Sequence, residues 1–407
     1  MRKCENTPGY STPTQGKHLN PTRFINSRKI EFAPGFNLTT PHKGHTSESC
    51  HIFRALKYTD SSILSPVLES CSSSSPPPSY SLCPARSYQT TAFKILDAPD
   101  IIDDYYLNLL SWSSTNILAV ALRGRLYLYH SQTGHVEVLT DYHSTLITSV
   151  SWMPTGTHIA LGLSDHTIKL IDLQQQSELR TINAHTDRVS ALAFNHYVLS
   201  SGSRDSSIIN HDLRTSNYFV KYQTHTQEIC GLKWNLDHNI LASGSNDNKV
   251  LVWPIADNTP LFEFTEHKSA VKALAWSPHK NYLLASGGGS LDKTIRLWDC
   301  GIGQLQGVKE TSSQVAALEW NKHENELISA HGQDQNQVCL WKANGLGLVT
   351  EFFGHTGRVL SMCQSPDGNT IVTAAADETI RFWNIAQANS TTKGASPGYS
   401  RMVPGCR

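Results

Sequence analysis

The chain is poor in charge. Only 17% of its 407 residues are Asp, Glu, Lys or Arg, and 34 basic side chains balance 34 acidic ones. Such a surface argues against the broad electrostatic binding that nucleic acids and anionic membranes demand. No apolar run reaches 18 residues, so no membrane-spanning helix is expected. The opening residues, MRKCENTPGYSTPTQG, lack the apolar core of a secretory signal. Nine cysteines occur without a CxxC pair, and Cys230, Cys339 and Cys363 fall in apolar, strand-like runs where a thiol packs as a small hydrophobe. That usage points to a reduced compartment, the nucleus and cytoplasm, and to no metal and no other cofactor. Also missing are a nucleophile elbow, a P-loop and an isolated carboxylate pair, so an enzyme is not expected.

What the chain does have is a repeat of about 40 residues in seven copies. A large residue recurs late in each copy, at Tyr129, Ile171, His211, Trp253, Trp298, Trp341 and Trp383. An earlier series runs Trp112, Trp152, Phe194, Trp234, Trp276, Trp320 and then Gln364. Two independent series with one period, each set in short alternating apolar segments, predict an all-β, seven-bladed β-propeller. Three regions follow: an N-terminal tail over 1–92, the ring over 93–386, and a C-terminal tail over 387–407 ending in Arg407.

The fourth copy shows the reading in detail. Ile229–Trp234, Ile240–Ser243, Val250–Trp253 and Leu261–Phe264 read as four short strands, with Asn246-Asp247-Asn248 as a tight turn. The turn aspartate recurs as Asp165, Asp205, Asp247, Asp292, Asp334 and Asp377, and a histidine ends the preceding copy's last strand at His185, His225, His267 and His355. An active site occurs once, whereas these pairs repeat blade after blade, so they read as structural links. The first copy is expected to begin at Tyr105. The seventh copy has three strands only. Phe93-Lys94-Ile95-Leu96-Asp97 supplies a fourth from the other end of the ring and closes it as a latch.

The first 92 residues carry ten Lys or Arg against five Asp or Glu, a run CSSSSPPPSYS, and Ser-Pro or Thr-Pro pairs at Thr7, Thr12, Thr40, Ser65 and Ser75. This composition buries too little apolar surface to order by itself, and the pairs fit proline-directed phosphorylation as well as they fit an ordinary disordered tail. Two apolar-and-basic islands, Thr22–Arg28 and His51–Lys57, have the character of docking motifs that order on a partner.

Specific stretches then carry a family resemblance: FKILDAP at 93–99, DDYYLNL at 103–109, SSGSRDSSIINHDLR at 200–214, SGSNDNKVLVW at 243–253, SGGGSLDKTIRLWD at 286–299, NQVCLWK at 336–342 and AAADETIRFWN at 374–384. The ring resembles WD-repeat proteins, and within them the fizzy family, the activators and substrate receptors of the anaphase-promoting complex. The resemblance implies an adaptor that binds linear degrons, on substrates such as cyclins, with its propeller and binds ligase subunits with its tails, in mitotic or meiotic control. Checkpoint or inhibitor proteins are further implied partners. For the Lys-Glu-Asn type of degron the matching residues are Asn246, Ser290, Gln314 and Arg358. In a four-stranded blade the b–c loops and d–a connections emerge on one face, which should gather all four from blades four to seven. An arginine can grip a carboxylate bidentately, and amides suit an asparagine or an ammonium group.

For the destruction-box type the resemblance implies an acidic pair between the first and last blades. Glu378 matches one member. The other falls at Ser111, where the family typically has Asp, so weakened or altered destruction-box binding is expected. In the tail, Arg23, Phe24, Ile25 and Arg28 match the ligase-docking box, with Thr22 and Asn26 departing from it. Cys406-Arg407 stands where the family has Ile-Arg, keeping the guanidinium and carboxylate that dock on the ligase. A generic WD-repeat scaffold or peptide reader in another assembly stays open as the alternative, because a propeller alone does not fix a function.

Overall fold

A computed structural model describes residues 88–385, apart from 216, 217 and 334. The described chain builds seven four-stranded antiparallel sheets. The first blade holds β2 (Leu110–Trp112), β3 (Ile117–Leu122), β4 (Arg125–His130) and β5 (Val136–Asp141). The second holds β6 (Ile147–Trp152), β7 (His158–Leu163), β8 (Thr167–Asp172) and β9 (Ser177–Asn183), and the third β10 (Val189–Asn195), β11 (Val198–Ser203), β12 (Ile208–Asp212) and β13 (Tyr218–Tyr222). The fourth holds β14 (Ile229–Asn235), β15 (Ile240–Ser245), β16 (Val250–Pro254) and β17 (Phe262–Phe264), and the fifth β18 (Val271–Trp276), β19 (Leu283–Gly288), β20 (Thr294–Asp299) and β21 (Gln304–Glu310). The sixth is β22 (Val315–Trp320), β23 (Glu326–His331), β24 (Val338–Lys342) and β25 (Leu348–Phe352). The seventh joins β26 (Val359–Gln364), β27 (Thr370–Ala375) and β28 (Thr379–Asn384) to β1 (Lys94–Asp97) from the start of the ring.

The inner strands β2, β6, β10, β14, β18, β22 and β26 touch in sequence, and β26 returns to β2, so the ring is closed. Its latch is the expected one. Lys94, Ile95, Leu96 and Asp97 lie opposite Phe382, Arg381, Ile380 and Thr379, and the Phe93 amide donates to the Phe382 carbonyl at 3.0 Å. Lys94 also reaches the first blade, where its ammonium lies 4.6 Å from the Tyr129 ring centroid and bonds the Tyr129 hydroxyl.

The core lies between blades. Strands β3, β15, β19 and β23 are buried along their whole length because both faces are covered by neighbouring sheets, which is why they read as unbroken apolar and small-residue runs. Trp253, Trp298 and Trp383 are almost wholly buried. Each indole needs an acceptor there, and each finds one in its own blade: Ser243 Oγ at 2.8 Å, Ser286 Oγ at 2.7 Å and Thr373 Oγ1 at 2.8 Å. The four described cysteines, Cys230, Cys300, Cys339 and Cys363, are buried and unpaired. One expectation needs correcting. Tyr105 does not begin a strand of the first blade. The segment from 98 to 109 crosses one end of the ring, and the first blade starts at Leu110.

Candidate functional site

Hydrogen-bonded relays stiffen that end of the ring. In the fourth blade Trp253 donates to Ser243 Oγ, Ser243 bonds His225 Nε2 at 2.8 Å, and His225 Nδ1 meets Asp247 Oδ2 at 2.9 Å. With a carboxylate on Nδ1, the ring donates there and accepts from the serine hydroxyl, so every polar atom in the relay has a partner. Asp247 further accepts from the backbone amides of Thr226 at 3.0 Å and Lys249 at 3.0 Å. One side chain thereby ties a d–a connection to a b–c turn. The same relay runs through His267, Asp292, Ser286 and Trp298, and through His355, Asp377, Thr373 and Trp383. In the third blade His185 binds Asp205 and Ser201, and His211 takes the tryptophan's place. Burial alone would raise the Asp247 and Asp377 pKa values, but hydrogen bonds from His225 on one side, and from Thr379, Thr356 and His355 on the other, hold both below the usual carboxylate range. The turn residues that follow, Asn248 and Glu378, adopt φ of 68° and 59°, the left-handed conformation such a tight reversal requires. Among the described residues Asp165 makes a local turn with Thr167, and Asp334 lies outside them.

These turns present the four residues matched to a Lys-Glu-Asn site. Backbone bonds tie the two loop types together at this end: Asn246 N to Glu228 O at 2.9 Å, Gly289 N to Ala270 O at 2.9 Å, Gly332 N to Gln314 O at 3.3 Å, and Ala376 N to Arg358 O at 2.9 Å. Asn246 and Ser290 therefore sit in b–c turns, and Gln314 and Arg358 in d–a connections, of blades four to seven at one end of the ring. Gln314 and Arg358 flank Gly332 so closely that a Cβ built there would lie 2.4 Å from Gln314 Nε2 and 2.9 Å from Arg358 Cβ. Gln314 is 4% exposed, and its amide nitrogen has no hydrogen-bond partner among the described residues. Asn246 is half-buried and its Nδ2 donates to Gln227 Oε1 at 2.5 Å. Ser290 is exposed, next to Leu291, which is 82% exposed.

Sequence reasoning missed the residues that join these positions. Asp103 accepts from Arg358 Nε at 2.5 Å and, through its backbone carbonyl, from Arg358 Nη2 at 3.1 Å. Asp104 accepts from Arg188 Nη1 at 2.8 Å, while Arg188 grips Glu228 bidentately at 2.8 and 2.9 Å. Tyr105 donates its hydroxyl to the Val315 carbonyl at 3.2 Å, and Tyr106 donates to Asn246 Oδ1 at 2.9 Å. The Leu107 carbonyl accepts from Lys272 Nζ at 2.8 Å, Asn108 Nδ2 donates to Ser190 O and Cys230 O at 2.7 and 2.9 Å, and Leu109 O accepts from Ala121 N at 2.9 Å. The Asn108 amide adds Thr148 O of the second blade at 3.1 Å. Seven consecutive residues thus reach all seven blades. The available signal was their order, two carboxylates and two tyrosines with no alternation, which suits no strand.

Of the two residues expected at the destruction-box site, Ser111 lies in β2, which touches β26 of the last blade as well as β6 of the second. Ser111 Oγ accepts from the Trp152 amide at 3.3 Å, and the Ser111 carbonyl accepts from Trp152 Nε1 at 3.2 Å, in the seam between the first and second blades. Glu378 is exposed in the β27–β28 turn, where its carbonyl accepts from Ala98 N at 2.7 Å and its Oε1 from Asp100 N at 3.4 Å. The closing strand lies against β28, so the acidic neighbours of Glu378 are Asp97, opposite Thr379, and Asp100. Arg23, Phe24, Ile25, Arg28 and Arg407 lie outside the described residues.

Comparison with known proteins agrees with this architecture. Residues 96–383 match a family model described as the CDC20/Fizzy WD40 domain. The chain is 44% identical over 327 residues to "Cell division cycle 20.1, cofactor of APC complex" of Arabidopsis thaliana, covering 78% of this chain and 72% of that protein. It is 43% identical over 304 residues to "Meiotic fizzy-related protein 1" of Schizosaccharomyces pombe, covering 74% of this chain and 72% of the relative. With "Anaphase-promoting complex subunit cdc20" of Dictyostelium discoideum the identity is 44% over 318 residues, 75% of this chain and 64% of the relative. A chain from "Crystal Structure of Mitotic Checkpoint Complex" is similar with a TM-score of 0.72 and 39% identity, covering 80% of this chain and 99% of that one. The chain belongs to the CDC20/Fizzy family of WD40 proteins.

Proposed function

We propose that the protein is a substrate-recognition adaptor and activator of the anaphase-promoting complex, acting in mitotic or meiotic control, that performs no chemistry itself. The family assignment supports this reading, together with relatives whose names include a cofactor of the complex and a meiotic fizzy-related protein. Its partners are ligase subunits, degron-bearing substrates such as cyclins, and checkpoint or inhibitor proteins, the last supported by the similarity to a chain of a mitotic checkpoint complex. It works in the nucleus and cytoplasm.

One observation carries the degron site. Gln314 keeps a buried, unpartnered amide donor, and Gly332 sits between it and the stem of Arg358. An orphaned buried donor costs about 1–3 kcal/mol, so a ligand acceptor that satisfies it gains that much. A Lys-Glu-Asn peptide supplies what the face lacks: a carboxylate for Arg358, sharing it with Asp103, and amide and ammonium groups for Gln314, Asn246 and Ser290. A destruction-box arginine would meet Glu378 with Asp97, both exposed at the closure seam. At the first-blade position Ser111 brings no charge, so destruction-box binding is expected to be weakened or altered.

The tails provide ligase attachment, through Arg23, Phe24, Ile25 and Arg28 at one end and Arg407 at the other. Deleting residues 20–30 and the last two residues should abolish co-purification with the ligase while peptide binding persists. Undiminished co-purification would favour a WD-repeat scaffold serving another assembly.

A further inference from the structure

We propose that Lys272 is a positioning residue for degron recognition: buried near the ring axis, its ammonium clamps the 103–109 segment to the strand that follows Arg358, and so sets Asp103 and Tyr106 against Arg358 and Asn246. The inference rests on the degron reading above. Lys272 lies in β18 and is 5% exposed. Its Nζ donates to Leu107 O at 2.8 Å and to Leu360 O at 2.6 Å, and lies 5.6 Å from the Tyr105 ring centroid. Leu107 directly follows Tyr106, and Leu360 is two residues beyond Arg358. One side chain therefore fixes the distance between the two parts of the chain that hold the candidate site.

The chemistry of the position favours this role over packing. Among the described residues no carboxylate forms an ion pair with Lys272. A buried ammonium is costly, and a methionine would fill similar volume without that cost. What the ammonium supplies is donors to two carbonyls outside the sheet register, that of Leu107 in the irregular crossing segment and that of Leu360 at the register shift between Val359 and Ser361. Burial lowers the Lys272 pKa to about 8, with Cys230 and Asp104 opposing the shift and Arg358 adding to it. The groups facing it are the Cys230 thiol of β14, Tyr105 and Asp104 of the crossing segment, and Arg358 before β26. Cys230 and Tyr105 are both pushed upward by burial and stay neutral between pH 7 and 9. Lys272 is the member of this group that changes charge in that window. The wider loss of its proton weakens both carbonyl contacts.

The test uses the full chain, an acetylated Lys-Glu-Asn peptide and an acetylated destruction-box peptide, titrated by fluorescence anisotropy from pH 7 to 9. The variants are Lys272→Met and Lys272→Arg. At pH 7, Lys272→Met should weaken the Lys-Glu-Asn peptide about ten-fold or more while the destruction-box peptide stays within about two-fold, and Lys272→Arg should restore most of the loss. Wild type should weaken toward the Lys-Glu-Asn peptide about three-fold or more from pH 7 to 9, and Lys272→Arg should stay flat. Unchanged binding by Lys272→Met, equal loss of both peptides, or a pH dependence that survives in Lys272→Arg would overturn the proposal. Should Lys272→Met fail to fold, the comparison of wild type with Lys272→Arg decides. Wild type that binds no Lys-Glu-Asn peptide at pH 7 overturns the degron reading itself, whereas tight wild-type binding with indifferent variants overturns the positioning role alone.

Discussion

Gly332 offers a direct test of the proposed degron site, because Gly332→Ala changes its geometry and removes none of its functional groups. The backbone at Gly332 is outside the left-handed region, so alanine is tolerated conformationally. The added methyl would stand 2.4 Å from Gln314 Nε2 and 2.9 Å from Arg358 Cβ, against an ordinary contact of about 3.5 Å or more. The Gln314 amide must swing away by about 1 Å, and the Arg358 stem must shift by several tenths. Overpacking of this kind costs about 1–3 kcal/mol, and the low end applies because the nearer atom ends a flexible side chain. In a ring of this size that corresponds to a melting shift of about 2–4 °C per kcal/mol. Binding should suffer more. Misplacing one hydrogen bond to an amide and one to a charged group costs about 2–4 kcal/mol, or roughly 30-fold to 1,000-fold in Kd. Anisotropy titration of a Lys-Glu-Asn peptide measures the loss, and a destruction-box peptide reports whether the ring is intact. Affinity within two-fold of wild type, with the melting temperature unchanged, would refute the assignment of Gln314 and Arg358 to one site.

Three further outcomes follow from the same coordinates. Asp247→Ala strips acceptors from His225 and two backbone amides in a buried relay and should cost about 2–4 kcal/mol, whereas Asp165→Ala in an exposed local turn should cost under about 1 kcal/mol; urea midpoints compare them. Burial, aided by nearby His185 and Arg180, drops the His211 pKa to about 3, and burial drops that of His331 to about 4. The unfolded chain takes up these protons near pH 6.5 and the folded chain does not, so stability is complete above that pH and declines below it. The loss should reach about 2 kcal/mol per residue at pH 5, and His211→Trp should flatten the curve between pH 6.5 and 5. Glu378→Gln should weaken destruction-box binding about ten-fold, and Ser111→Asp should strengthen it; unchanged binding by Ser111→Asp would show that the first-blade position takes no part.

Much of the ring was legible before any coordinates. Strand pairs such as Ile240–Ser245 with Val250–Pro254 are read from alternation and from the Asn-Asp-Asn turn between them, features contained in a few residues. The latch was legible for a related reason, since a three-stranded last copy requires a fourth strand and Phe93–Asp97 has the right pattern. The relay histidines were recognisable as structural because they recur with the blades. The acidic neighbours of Glu378 were not legible, because they depend on how two ends of the ring meet across 278 residues, where β1 and the turn after it bring Asp97 and Asp100 beside it.

The sequence by itself determined the number of blades, the order of strands, the closure, and the loops in which Asn246, Ser290, Gln314 and Arg358 sit, because each rests on periodicity and turn chemistry that short segments express locally. Only the tertiary structure decided how Asp103 to Leu109 bind all seven blades, that Lys272 anchors them, and that Asp97 and Asp100 are the acidic neighbours of Glu378. Those contacts join residues from 12 to 278 positions apart through irregular chain. They obey no period, and are set by the closed ring bringing distant loops and carbonyls within hydrogen-bond reach.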